Sequence, residues 1–269
     1  MRRVPIGELI SVAGHNFHVR QDGDPTARPL VLLHGFRGSM HWFDRLTPLL
    51  ATDFRVIRVD LPGHGCTGGS TDLDALSQGR AVAALVKELD LSDAAVAGHS
   101  YGADVTLALA AQSDRVSAVV VIAQGPDYTY ASTPRGSAFL VSLFSVIART
   151  IAYWPVTHWI SRFLPGKNFD NPIQAVLDQA ATAPRLTRMI FVDRGPILAQ
   201  HPLDAQLRDL GLPSLVILGE QDPYYDCAKT TARYTAAGVQ VKVIPGAPHS
   251  PFLAQPSAVA GLLWEFLRR

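Results

Sequence analysis

Short apolar runs recur along the chain at intervals that leave room for a helix between them. LVLLH (Leu30 to His34), FRVIRVD (Phe54 to Asp60), DAAVAG (Asp93 to Gly98), VSAVVVIA (Val116 to Ala123), SLVILG (Ser214 to Gly219) and VQVKVI (Val239 to Ile244) are short and mostly apolar on both faces. A strand apolar on both faces is covered on both faces, as strands of a parallel sheet are. The N-terminal pair ELISVAG and HNFHVRQ meets at Gly14 and predicts an antiparallel hairpin.

Between the strands lie helical patterns bounded by Gly, Pro or capping residues: Trp42 to Leu50, Leu76 to Leu89, Ser100 to Gln112, Cys227 to Ala237 and Ser257 to Leu267. The alternation predicts an α/β fold, a mostly parallel eight-stranded sheet with helices on both faces and the hairpin at its edge. One interval breaks the rhythm. After Ala123 no strand pattern returns until Ser214, while Ser137 to Phe163 and Pro172 to Arg208 carry helical periodicity punctuated by proline. This predicts a core of residues 1–126 and 210–269 and an inserted helical cap over residues 127–209.

Composition narrows the function. Of 269 residues 48% are hydrophobic and 17% charged, enough apolar surface for a packed core and too little charge for extensive disorder. A formal net charge of +1 supplies no field to hold a nucleic-acid backbone or an anionic membrane, so neither is expected as a partner. Cys66 and Cys227 lie far apart and form no CxxC spacing, so neither a disulfide framework nor a metal cluster is expected, and no cofactor. Val4 to Val19 alternates instead of forming a signal-peptide core, and AFLVSLFSVIA from Ala138 falls short of the roughly 18 apolar residues that span a bilayer. A soluble, cytoplasmic protein is the expectation.

The stretch VAGHSYGAD (Val96 to Asp104) places a serine between two glycines where a strand hands over to a helix. Serine favours neither element interior. A sharp turn would project its hydroxyl from the backbone, Gly98 and Gly102 would let strand and helix approach closely, and the helix N-terminus would aim free N–H groups at developing negative charge. Gly-His-Ser-Tyr-Gly therefore reads as a nucleophile elbow, with Ser100 the candidate nucleophile.

With this elbow, HGFRGS (His34 to Ser39), DLPGHG (Asp60 to Gly65), GEQDP (Gly219 to Pro223) and PGAPHSPFLAQP (Pro245 to Pro256), the chain resembles the α/β-hydrolase family over nearly its whole length. The resemblance implies that His249, in the loop after the last strand, is the general base for Ser100, and that Asp222, after the penultimate strand, orients it. It implies an oxyanion hole formed by the backbone N–H groups of Phe36 and Tyr101. His34 and His64 take structural roles in the same reading. Asp127, after the preceding strand, and Asp226, one turn beyond Asp222, remain alternatives for the acid.

Asp104 departs from the small apolar residue usual at its position, and a favourable contact with the helix dipole is its expected role. Arg37 is read as a solvent-facing loop charge, with a substrate carboxylate as the alternative contact. The Tyr101 side chain and two or three of Phe139, Phe144, Tyr153, Trp154, Trp159 and Phe163 are expected to line a hydrophobic pocket. The function implied is hydrolysis of an ester, lactone or related acyl bond of a small to medium hydrophobic substrate through an acyl-enzyme on Ser100. The alternatives are carbon–carbon bond hydrolysis by the same triad, a cofactor-independent oxygenase or perhydrolase chemistry using His249 as base, and a receptor that keeps the fold.

Overall fold

The computed structural model describes residues 7–132 and 173–268. Its strands are β1 (Glu8–Val12), β2 (His15–Asp22), β3 (Pro29–Leu33), β4 (Arg55–Val59), β5 (Ala94–His99), β6 (Val116–Ile122), β7 (Ser214–Gly219) and β8 (Gln240–Ile244). They form one sheet in the order β1-β2-β4-β3-β5-β6-β7-β8. β1 and β2 pair antiparallel, β2 joins β4 antiparallel, and every later pairing is parallel. The strands sit where the apolar runs predict them.

The alternation within each run decides which core it feeds. In β3, Val31 and Leu33 face a layer containing Val82, Leu85, Val105 and Leu109, while Leu30 and Leu32 face Leu46, Leu50, Phe252 and Leu263. Each such side chain, fully buried, stabilises the fold by roughly 1.5–3 kcal/mol. The first layer is built by α2 (Ala75–Glu88) and α3 (Tyr101–Ala110), and the second by α1 (Thr47–Leu50) and the C-terminal helix (Pro256–Leu267). Asp74 caps α2 by accepting from the Ser77 N–H at 2.9 Å.

Two helices differ from expectation. The pattern from Trp42 to Leu50 is a 3-10 turn over Met40–Phe43 followed by α1. Ser39 caps the first piece, and Pro48, which brings no N–H, sits in the opening turn of the second. The C-terminal pattern is likewise preceded by a separate turn, Pro251–Ala254, with Pro256 starting the long helix. Proline restarts the ladder in both.

Between β6 and β7 the chain forms α4 (Gln174–Ala181), α5 (Pro184–Arg188), a π-type turn over Met189–Asp193, α6 (Arg194–Gln200) and α7 (Leu203–Leu210). The helical pattern at 137–163, with its aromatic residues, and the apolar stretch from Ala138 lie outside the described residues. Among the described residues no helix is long and apolar enough to cross a membrane.

All six parallel strands end at one edge of the sheet. β3 has β4 on one side and β5 on the other, a reversal of strand order of the kind beside which open α/β sheets bind ligands, outside the carboxyl ends of the strands. His34, Asp60, Ser100, Asp222 and His249 all follow those ends in sequence.

Candidate active site

Ser100 links β5 to α3 with φ 50° and ψ −123°, a backbone conformation that costs a non-glycine residue about 1–3 kcal/mol. Its N–H donates to the Ile122 carbonyl at 2.9 Å and its carbonyl accepts from the Ala103 N–H at 2.8 Å, so both flanks hold it there. The neighbouring glycines are needed for close approach. A Cβ at Gly98 would collide with the Gly102 carbonyl, and one at Gly102 would lie 2.5 Å from the carbonyl oxygens of Leu33 and His34.

The loop after β3 reaches the same point. A Cβ on Gly35 would stand 3.0 Å from the Cβ of Ser100, which puts the backbone preceding Phe36 against the serine. His34 is buried; the Leu61 N–H donates to its Nε2 at 3.0 Å and its Nδ1–H donates to the Gly35 carbonyl at 2.8 Å. Both ring nitrogens are spent on loop geometry. His64 packs edge-on against His34 with ring centroids 4.8 Å apart, and burial, with His34 adding to it, pushes its pKa down to about 3. Tyr101 begins α3, where the first N–H groups have no partner within the helix. Its side chain does not line an open pocket: the ring is buried and its hydroxyl donates to the Leu73 carbonyl at 2.6 Å.

His249 Nδ1–H donates to Asp222 Oδ2 at 2.7 Å, and the other carboxylate oxygen accepts the Tyr224 N–H at 2.8 Å. Tyr224 stands edge-on to the imidazole with centroids 4.6 Å apart. The other two carboxylates are engaged elsewhere. Asp127 accepts from Arg233 at 2.8 Å and from the Thr129 N–H at 2.7 Å, while Asp226 caps the helix Cys227–Ala236 through the Lys229 N–H at 3.0 Å.

His99 is a residue the sequence reading passed over. Its Nε2–H donates to the His249 carbonyl at 2.9 Å, and the two rings lie 4.9 Å apart. Phe252 packs edge-on against it and Trp42 stands 5.8 Å away. Burial, then the neighbouring His249, holds its pKa well below the usual histidine range, which keeps the ring neutral. The residue before Ser100 thus ties down the loop that carries His249. Its place in Gly-His-Ser-Tyr-Gly was visible, but nothing local marks the partner 150 positions away.

The segment between β6 and β7 contacts this edge at three places. Phe191, in the π-type turn, packs edge-on against Phe36 with centroids 6.0 Å apart. The Trp42 indole N–H donates to Asp178 of α4 at 2.8 Å. Arg194 bonds Asp104 through Nε at 2.7 Å and Nη2 at 3.0 Å, with the two side chains only 6% and 5% exposed. Asp104 also accepts from Gln124 at 2.9 Å, and Arg194 also donates to the Tyr128 hydroxyl at 2.8 Å. Asp104 is therefore the anchor of a buried charge pair rather than chiefly a dipole complement. Arg37 is half-buried rather than facing solvent, with φ 64° and its guanidinium 5.7 Å from the Phe36 ring centroid.

Residues 30–262 match the family described as the Alpha/beta hydrolase family. The dihydrolipoyllysine-residue acetyltransferase component of the acetoin cleaving system of Pseudomonas putida is 38% identical over 123 residues; the match takes in 44% of this chain and only 33% of that protein. The pimeloyl-[acyl-carrier protein] methyl ester esterase of Edwardsiella ictaluri is 27% identical over 250 residues, covering 89% of this chain and 93% of the esterase. Among solved structures, the enol-lactonase from Burkholderia xenovorans LB400 superimposes with a TM-score of 0.71 at 20% identity, covering 97% of this chain and all (100%) of that one.

Proposed function

Because the chain belongs to the alpha/beta hydrolase family, we propose that it hydrolyses an ester or lactone bond through an acyl-enzyme on Ser100. The observation that carries this reading is the 2.7 Å bond between Asp222 and His249, joined to the elbow through His99. Similarity to a methyl ester esterase over most of both chains supports the bond class.

In this mechanism Ser100 Oγ attacks the acyl carbonyl while His249 Nε2 takes its proton. Asp222 keeps the Nδ1–H tautomer, leaves Nε2 free as acceptor, and stabilises the imidazolium that forms. The N–H groups of Tyr101 and Phe36 receive the oxyanion, and donors already fixed in orientation cost no reorganisation as the charge develops. His249 returns the proton to the leaving alcohol, and water then releases the acid by the same steps reversed. The segment 127–209 acts as the cap over this site, a role supported by the contacts of Phe191, Asp178 and Arg194 with the core. An apolar wall including Phe36 and Phe191 favours a small to medium hydrophobic acyl or alcohol group.

A fluorophosphonate probe and a panel of short p-nitrophenyl esters and lactones, run on wild type beside Ser100→Ala, test the reading. Labelling and turnover should both vanish in the variant. Ester turnover that survives the substitution, or dioxygen consumption that tolerates it, removes the acyl-enzyme.

A further inference from the structure

Besides Ser100 and its partners, three side chains with chemistry of their own converge at the carboxyl end of β4. His18 Nδ1–H donates to Asp60 Oδ2 at 2.8 Å, and both side chains are 2% exposed. A ring nitrogen of His18, a carboxylate oxygen of Asp60 and the sulfur of Cys66 lie within 4.8 Å of one another, and Cys66 is exposed. The loop is shaped to bring them together. Gly65, at φ 47°, passes so close to Asp60 that a Cβ there would strike the carboxylate. That approach lets the Cys66 N–H donate to Asp60 Oδ2 at 2.9 Å. Thr67 fastens the other end, donating to the Asp60 carbonyl at 2.6 Å and accepting the His18 N–H at 2.8 Å.

The ionisable groups acting on His18 are Asp60 and Cys66, and His34 acts in turn on Asp60. Burial alone would lower the His18 pKa, but hydrogen bonding and charge from Asp60 and Cys66 override it and raise it to about 9. The ring is then an imidazolium at neutral pH, held in orientation by a carboxylate, with a thiol beside it at the surface. The sulfur of Cys66 stands at the surface within 4.8 Å of that ring and of Asp60, and a cysteine reacts as its thiolate. Asp60 is already saturated: Oδ1 accepts the Met40 N–H at 2.7 Å and Oδ2 takes both His18 and Cys66. A metal ion would have to break these bonds, whereas a covalent reagent at the sulfur leaves them intact.

We propose that Cys66 is a second reactive centre, a peroxide-oxidisable thiol activated by His18 and Asp60. The thiolate sulfur attacks one oxygen of a hydroperoxide, the S–O bond forms as the O–O bond breaks, and the bonding pair leaves on the departing oxygen. That oxygen takes a proton from solvent at the exposed sulfur. Sulfur is oxidised by two electrons to the sulfenic acid, and the hydroperoxide is reduced to the alcohol, or to water when hydrogen peroxide is the oxidant. Cys227 supplies an internal control, since burial, opposed by a bond from Thr231, raises its pKa.

A brief hydrogen peroxide pulse at pH 7, trapping with a dimedone probe and quantitation of each cysteine peptide test this on the full chain. Cys66 should be labelled about tenfold faster in the native protein than in the same chain unfolded in urea, and Cys227 more slowly. His18→Gln should lower the native Cys66 rate about tenfold and leave Cys227 unchanged. A native Cys66 rate at or below the unfolded one overturns the proposal without any variant. So does a folded His18→Gln protein whose Cys66 reacts as fast as wild type.

Discussion

His99 donates its Nε2–H to the main-chain carbonyl of His249 across 2.9 Å, so the end of the strand that leads into Ser100 is fastened directly to the residue that bears the imidazole. A bond to the backbone fixes where the loop runs, while Asp222 fixes how the ring turns. His99→Leu removes the donor and keeps comparable bulk. It is expected to lower kcat on the best ester by about 10- to 100-fold with little change in KM, since misplacement of a catalytic group by an ångström costs on that order. Steady-state kinetics with circular dichroism as a folding control check it; an unchanged kcat would leave His99 a packing residue.

Asp222→Asn should preserve the fold and lower kcat by about 10⁴, because an amide can donate to Nδ1 and select the wrong tautomer. Asp127→Ala, which removes a partner of Arg233 instead, should change kcat by less than about threefold; its cost falls on a partly exposed ion pair worth about 1 kcal/mol or less. Reversal of the two effects in parallel kinetic assays would move the acid to Asp127.

Arg194→Met leaves the Asp104 carboxylate buried without its cation. Stripping one partner from a buried pair typically costs about 3–5 kcal/mol, whereas replacing both by apolar groups is far milder. Urea denaturation of Arg194→Met, Asp104→Leu and the double variant should therefore give a double variant more stable than Arg194→Met. Strict additivity would mean that the pair is not coupled.

Burial raises the Asp178 carboxyl to about 7 despite hydrogen bonds from Gln174, Ser39 and Trp42. A raised pKa means that the native state holds the proton more tightly than the unfolded chain. The resulting stabilisation is complete below about pH 4 and is lost as pH rises through about 7. Asp178→Asn keeps an acceptor for Trp42 and cannot ionise. Its Tm relative to wild type should rise between pH 5 and pH 8, by an amount equivalent to about 1.4 kcal/mol per pH unit at the steepest. A difference independent of pH would show that Asp178 titrates normally.

Much of this arrangement was legible in the chain because it is written locally. Two-sided apolar runs specify buried parallel strands, and Gly-His-Ser-Tyr-Gly between a strand and a helix specifies a tight turn. Five ordered motifs carried the family, matched over residues 30–262. What stayed hidden depends on pairing across long separations. Asp104 and Arg194 are 90 positions apart, and Arg194 follows a π-type turn whose extra residue shifts the helical register that periodicity assumes. His18, Asp60 and Cys66 come from a strand, a strand end and a loop, so no spacing rule applied to cysteine alone would join them. Tyr101 was misjudged for the opposite reason. Adjacency to Ser100 suggests a pocket wall, yet the first turn of α3 aims its ring toward α2.

The guanidinium of Arg194 has its carboxylate on α3, a helix that packs on the sheet beside α2. Pulling it outward would leave a bare carboxylate in the core, so the first turn of α6 is moored to α3.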